Sequence, residues 1–284
     1  MKRILCPALC AGLLGLASSG GAAQTGGGAD LFADWSKEDK ALALNLGVGA
    51  AVLGWGFANW DYGTGGPRFQ DEGWFGRDTD EGGADKLGHL YTTYLFTHLF
   101  AGQYERWDFE RDEAIRWGAL SGLGVSTLIE VGDAFSDRYG FSYQDMVFNT
   151  LGAAAGYLLW AHPELSRKID LRLEYNPFLD GDHQFDVTTD YDRLGYVMAI
   201  KADGFDFIEN EYLKYLELHV GFRARNYDDY SDRPDIDLRK QFVYVGIGLN
   251  LSKLLEPYLD VPVFNYLQVP YTYVPATVRI SGPP

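Results

Sequence analysis

At 284 residues the chain is long enough for one large domain or two smaller ones, each with a sizeable core. Its 24 basic against 40 acidic residues give a formal charge of −16, which disfavours nucleic acid and anionic lipid headgroups as partners. Aromatic residues reach 15 %, with 19 Tyr and 7 Trp, a content found both in envelope proteins and in well-packed cores.

Residues 1–23 read as a secretory signal. Lys2 and Arg3 form a charged start, Ile4 to Leu16 an apolar stretch, and Gly21-Ala22-Ala23 a small-residue cleavage site. Both cysteines, Cys6 and Cys10, fall inside this segment, so the remainder offers neither a disulfide nor a thiolate ligand. Cys10 follows Pro7-Ala8-Leu9 and lacks the small residue expected before a lipid-attachment cysteine. Residues 24–35 are Gly/Ala-rich and read as a flexible leader.

Ser36-Lys37-Glu38-Asp39 has capping-box form and starts a helix to about Trp60. That helix is apolar nearly all round, with a small-residue stripe of Gly47, Ala51, Gly54 and Ala58. Asp61 to Ala84 is a loop rich in Gly and acid. Asp78 to Gly83 lacks the ligand spacing of an EF-hand and reads as a solvated acidic loop. Further helices are expected over 85–102, 113–135 and 142–160, the last stopping before His162-Pro163. The apolar runs are slightly short of the ~20 residues a bilayer core needs, and basic residues pick no orientation. The result is a four-helix apolar bundle over 36–162, either buried or membrane-embedded.

After Pro163 the periodicity changes towards two. Leu171, Leu173 and Tyr175 alternate, as do Leu216, Leu218, Val220 and Phe222, with Glu217, His219 and Arg223 opposite. Val243 to Leu249 and Gly195 to Ala202 add further runs, separated by turns such as Asp180-Gly181-Asp182 and Asn226 to Asp237. Residues 163–284 therefore read as a small antiparallel sheet of four or five strands, packed on the helices or on a membrane surface. The proline-containing tail from Pro257 reads as an ordered wrap, and the fold class as α+β.

The helices carry polar residues that packing alone does not ask for: Asp85, Lys86, His89, Glu130, Asp133, Ser142, Asp145 and Asn149. Asp85 and His89 share a helix face at i,i+4, as do Asp145 and Asn149, while Glu130 and Asp133 stand at i,i+3. Gly118, Gly122 and Ser126 run behind Glu130, and Gly152 and Gly156 behind Asn149, so these groups belong where helices meet closely. One reading is a divalent-metal or acid/base site with His89, Glu130, Asp133 and Asp145 as ligands. The other is a satisfied structural network. In that reading Asp85 caps its helix, Asp145 completes a capping box with Ser142, and Glu130 finds a partner such as His89 or Lys86. No HExxH, ExxH pair or catalytic Ser or Cys motif is present.

The order Asp85-Lys86-x-x-His89, Glu130-x-x-Asp133, Tyr139-Gly140-Phe141-Ser142-x-x-Asp145, Asn149-x-x-Gly152 and Gly156-Tyr157 resembles the YfiM-like predicted periplasmic lipoproteins. A looser form is similar to the VanZ-like membrane proteins. The resemblance implies a bacterial envelope location and supplies no activity or cofactor. The expectation is an exported, membrane-associated envelope protein with a structural, binding or assembly role, its partners being the membrane or other envelope proteins. The alternative is a metal-dependent hydrolase acting on an envelope lipid or cell-wall substrate.

Overall fold

The computed structural model describes residues 34–179, 190–227, 237–258 and 262–283. The expected signal segment, nearly all of the leader, the Asp180–Asp182 turn and much of the Asn226–Asp237 turn lie outside them. Among the described residues are six α-helices and a six-stranded sheet, so the α+β class is observed. The chain forms two compact units. One comprises residues up to Asp71 together with Thr92–Ala161, the other Glu72–Tyr91 together with His162–Pro284.

Four long helices lie near their expected bounds: α1 Lys37–Asn59, α2 Ala84–Arg106, α3 Arg111–Ala134 and α4 Tyr143–Ala161. A self-contained four-helix bundle is not what they make. The first turns of α2 cluster with the second unit, where Asp85 and Lys86 find polar partners, and only the rest of α2 clusters with the first. Ser36 caps α1 as its spacing predicts, accepting a bond from the Asp39 N–H at 3.1 Å. In the helical unit Val52 of α1, Phe96, Phe100 and Tyr104 of α2, and Ala114 and Val125 of α3 form one apolar cluster. Tyr104 threads a polar bond through it: Asn45 donates to the phenol oxygen at 2.6 Å, and the phenol meets Ser121 Oγ at 2.8 Å.

The glycines of α3 and α4 do what their spacing predicts, whereas the small-residue stripe of α1, expected to pack closely, is exposed, with nothing among the described residues within 4 Å of a Cβ on Gly47 or Gly54. A Cβ on Gly118 would come within 2.8 Å of the Ala101 nitrogen and the Thr97 carbonyl. One on Gly122 would stand 2.9 Å from the Thr97 nitrogen, and one on Gly156 2.7 Å from Thr97 Cγ2. No Cβ fits at such distances, so glycine is what lets α2 lie against both α3 and α4. Two short strands, β1 Phe69–Gln70 and β2 Phe141–Ser142, pair in parallel and tie the loop after α1 to the start of α4.

The second unit adds the short helices α5 Pro163–Ser166 and α6 Leu251–Leu255. Its strands are β3 Ile169–Tyr175, β4 Leu194–Lys201, β5 Leu216–Arg225, β6 Lys240–Leu249, β7 Leu267–Gln268 and β8 Tyr273–Ser281. The order is β7-β3-β4-β5-β6-β8, with β7 parallel to β3 and the other pairings antiparallel. This corrects the expected small antiparallel sheet: the sheet is six-stranded and mixed. It also corrects the tail, which supplies two strands rather than a wrap. Pro275 hid β8 from the sequence pattern, yet β8 pairs only with β6, and an edge strand tolerates proline.

The sheet is strongly curled. Its outermost strands β7 and β8 are consecutive, joined by Val269–Thr272 alone. Such a link spans at most about 18 Å, whereas the first and sixth strands of a flat sheet stand about 24 Å apart. Tyr273 of β8 accordingly donates to Glu174 of β3 at 2.5 Å.

The concave side of this curl is polar. Arg172 of β3 binds Glu217 of β5 with both terminal nitrogens, at 2.6 and 2.9 Å, and also reaches Asp170 at 2.7 Å. Lys201 meets Asp170 at 2.7 Å, and His219 Nε2 meets Glu217 at 2.7 Å. All five are buried. Burial pushes the Glu217 carboxyl up, but bonds from His219 and Arg172 outweigh it and hold it below the usual range. Gly248 and Gly221 make room, since a Cβ there would strike His219 and Tyr244 respectively.

Candidate functional site

Three hydrogen-bonding side chains from three helices meet inside the helical unit. Thr93 Oγ1 on α2 lies 2.6 Å from Ser126 Oγ on α3 and donates to Asn149 Oδ1 on α4 at 2.9 Å. All three are buried. Thr93 with Ser126, followed by Tyr104 with Ser121, shows that α2 and α3 run antiparallel. Thr93 with Asn149, followed by His98 with Gly156, shows that α2 and α4 run parallel.

These directions fix what lies one turn away. Four residues after Ser126 comes Glu130, and four before Asn149 comes Asp145. Both are buried, and a carboxylate oxygen of one lies within 4.8 Å of one of the other. On α2 itself, His89 stands one turn before Thr93 on the same face.

Ser142 sits at the head of α4 and accepts from the Asp145 N–H at 3.2 Å, the forward half of a capping box. The Ser142 N–H, which that motif would give to Asp145, donates instead to Glu130 Oε2 at 3.3 Å. Glu130 thus joins the end of α3 to the start of α4. Gln144 adds a link of its own: it donates to Asp71, and its amide oxygen accepts from the Ser142 hydroxyl at 3.4 Å.

Asp133 has a different neighbour. The Tyr62 ring fills the space left by Gly56 and Gly132, where any Cβ would overlap it, and its hydroxyl donates to the Ile129 carbonyl at 3.1 Å. Burial, then the charge and hydrogen bond of Asp133, push the Tyr62 phenol far above its usual value.

In the second unit the Lys86 ammonium is buried and held by Glu72 and Asp85, each at 2.6 Å. Asp85, expected as a helix cap, lies in the first turn of α2 and serves this ion pair. His98 is buried in the helical unit. Burial lowers its pKa to about 4, partly offset by its bond to Gly156, so the ring stays neutral and its Nε2 meets the Gly156 carbonyl at 2.9 Å.

The structure therefore groups Glu130, Ser142 and Asp145 around one helix junction, with Asn149 in the layer beside it. Asp85 and Glu72 both bind the Lys86 ammonium. Sequence reasoning missed Glu72, Asp71, Gln144, Tyr62, Thr93 and Ser126 as partners. Thr93 and Ser126 had a legible signal in their helical register. Glu72, Asp71 and Tyr62 lie in a loop, where no periodicity marks them.

Residues 71–161 match the family model described as Predicted periplasmic lipoprotein (DUF2279). No curated protein and no solved structure matches the chain. The matched stretch contains all eight candidate residues, and the curled sheet lies outside it. The family description carries an envelope location and no reaction.

Proposed function

We propose that this chain is an exported envelope protein whose helical unit lies against lipid, and whose buried polar junction gives it a structural, binding or assembly role there. The observation carrying this reading is α1. It is long and apolar enough to cross a membrane by length and composition, yet only Gly49, Val52 and Gly56 of its residues are buried. Leu42, Leu46 and Phe57 stand open, as do Leu120, Val131, Leu151 and Leu158 on α3 and α4. Apolar surface on this scale marks an interaction surface or a membrane contact. The family description of residues 71–161 and the resemblance of the Asp85–Tyr157 pattern to the YfiM-like and VanZ-like families support the same reading.

Fractionation tests it. The chain, expressed with its own N-terminal segment, should sediment with membranes and resist a carbonate wash. Recovery in the soluble periplasmic fraction would sink the proposal.

A second reading is favoured by the Glu130–Asp145 pair. Two buried carboxylates within 4.8 Å offer the hard oxygen ligands of a divalent cation, and the sequence offers His89 as an imidazole. Such a cation could activate water for hydrolysis of an envelope lipid or cell-wall substrate. Elemental analysis of the purified chain, beside Glu130→Gln and His89→Ala, decides. Stoichiometric metal lost in both folded variants supports this reading; metal-free protein refutes it.

A further inference from the structure

A sheet in water buries its apolar face and turns its polar face outward. Along β5, β6 and β8 the sheet of the second unit does the reverse. Cross-strand register places Leu218, Ile247 and Val274 in one row and Val220, Val245 and Ala276 in the next, on the convex side. Ile247 is 61 % exposed and Val274 79 %, whereas Arg172, Glu217 and His219 are enclosed on the concave side. The inward charges Arg172, Glu217 and His219 are bonded to one another.

The rim of the curl carries a second signal. β5 and β8 begin at the end where β4 and β6 finish, so the segments beside these termini gather there. They hold Phe207, Tyr212, Tyr258 and Tyr271, each more than two-thirds exposed. At this rim a groove of about 290 Å³ opens between Leu216, Ile247 and Leu249 on one side and Tyr271 and Val274 on the other.

We propose that this convex wall rests against the acyl chains of a bilayer leaflet, with the aromatic rim at headgroup level and the groove taking an acyl chain. The inference rests on the membrane association proposed above but concerns a different surface. Three observations favour lipid over a protein. Apolar-out, polar-in alternation is the pattern of lipid-facing strands. Tyr and other aromatics collect at membrane–water interfaces. The rows of β5, β6 and β8 named above carry no charge or hydrogen-bonding side chain, whereas a protein interface holds about one hydrogen bond per 100–200 Å². Among the described residues the sheet has six strands, fewer than the roughly eight of the smallest membrane-spanning barrels, which suits a wall leaning on one leaflet.

The test uses the full chain with Cys6→Ser and Cys10→Ser, carrying one new cysteine at a time: Ile247→Cys or Val274→Cys on the wall, Leu46→Cys on α1. Each is labelled with a polarity-sensitive fluorophore and mixed with zwitterionic phosphatidylcholine–phosphatidylethanolamine vesicles containing acyl-chain spin labels. Both wall labels should be quenched about two-fold or more by the spin-labelled lipid and shielded from aqueous iodide. Iodide quenching at both wall positions overturns the proposal; if Leu46→Cys is then lipid-quenched, the helical reading survives alone. Lipid quenching at the wall without quenching at Leu46→Cys upholds the wall and removes the helical reading. Wall labels shielded from both quenchers, with a doubled mass in solution, assign the surface to a second copy and overturn lipid contact.

Discussion

In the helical unit the enclosed side chains are mainly Phe96, Phe100, Tyr104 and Val125, with polar groups confined to layers such as Thr93–Ser126–Asn149. In the curled sheet they include Asp170, Arg172, Lys201, Glu217 and His219. The two units answer the cost of burying polar groups differently. Helices satisfy their backbone internally and approach closely where glycine permits, so hydroxyls and amides make up the Thr93–Ser126–Asn149 layer, and the enclosed carboxylates are confined, among the described residues, to Glu130 and Asp145 beside it. The sheet encloses whole charges, each needing a counter-charge at bonding distance. The helical unit is therefore sensitive to volume, and the sheet unit to the loss of any single charge.

Removing one charge from the sheet should produce the largest effect. Glu217→Ala leaves the Arg172 guanidinium enclosed without its bidentate partner, at a cost of about 3–5 kcal/mol in denaturant unfolding. Replacing both partners, Arg172→Met with Glu217→Leu, should recover most of that loss. A single variant as stable as the parent would break the contrast.

Acid acts on the helical unit through His98. Its folded pKa lies below its unfolded one, about 4 against 6.5, so only the unfolded chain takes up a proton between these values. No stability is lost above pH 6.5, and about 3 kcal/mol is lost by pH 4. His98→Gln should flatten that slope in urea titrations followed by Trp fluorescence.

Volume comes next. Gly122→Ala places a Cβ 2.9 Å from the Thr97 nitrogen, and the resulting overpacking should cost about 1–3 kcal/mol. The same substitution at Gly124, which has open space around it, should cost nothing measurable and may be run alongside as the control. Ser142→Ala is expected to have the smallest effect, about 1 kcal/mol for a lost helix cap, read as a shift of the thermal midpoint.

Much of this architecture was legible in the sequence. Capping at Ser36 and Ser142, the stop before Pro163 and the glycine stripes at 118, 122 and 156 are local signals, and each sits where its spacing put it. The polar residues of the helix junction were legible as unusual, but their pairing was not. Ser142 and Asp145 have capping-box spacing, and only the packing of α3 against α4 gives the Ser142 N–H to Glu130. Lys86 likewise goes to Asp85 beside it and to Glu72, which lies in a loop without a periodic signal.

The sheet marks the boundary most sharply. Alternation along β3 and β5 determined that Leu171 and Leu173 share one face, and that Glu217 and His219 share another. It did not determine which face is enclosed, because a period of two is the same pattern seen from either side. That choice belongs to the curl. The four-residue link from β7 to β8 draws the edges together, and the bond from Tyr273 to Glu174 shows which side is inside. Contacts between strands far apart in the chain carry that information, and no local stretch of sequence contains it.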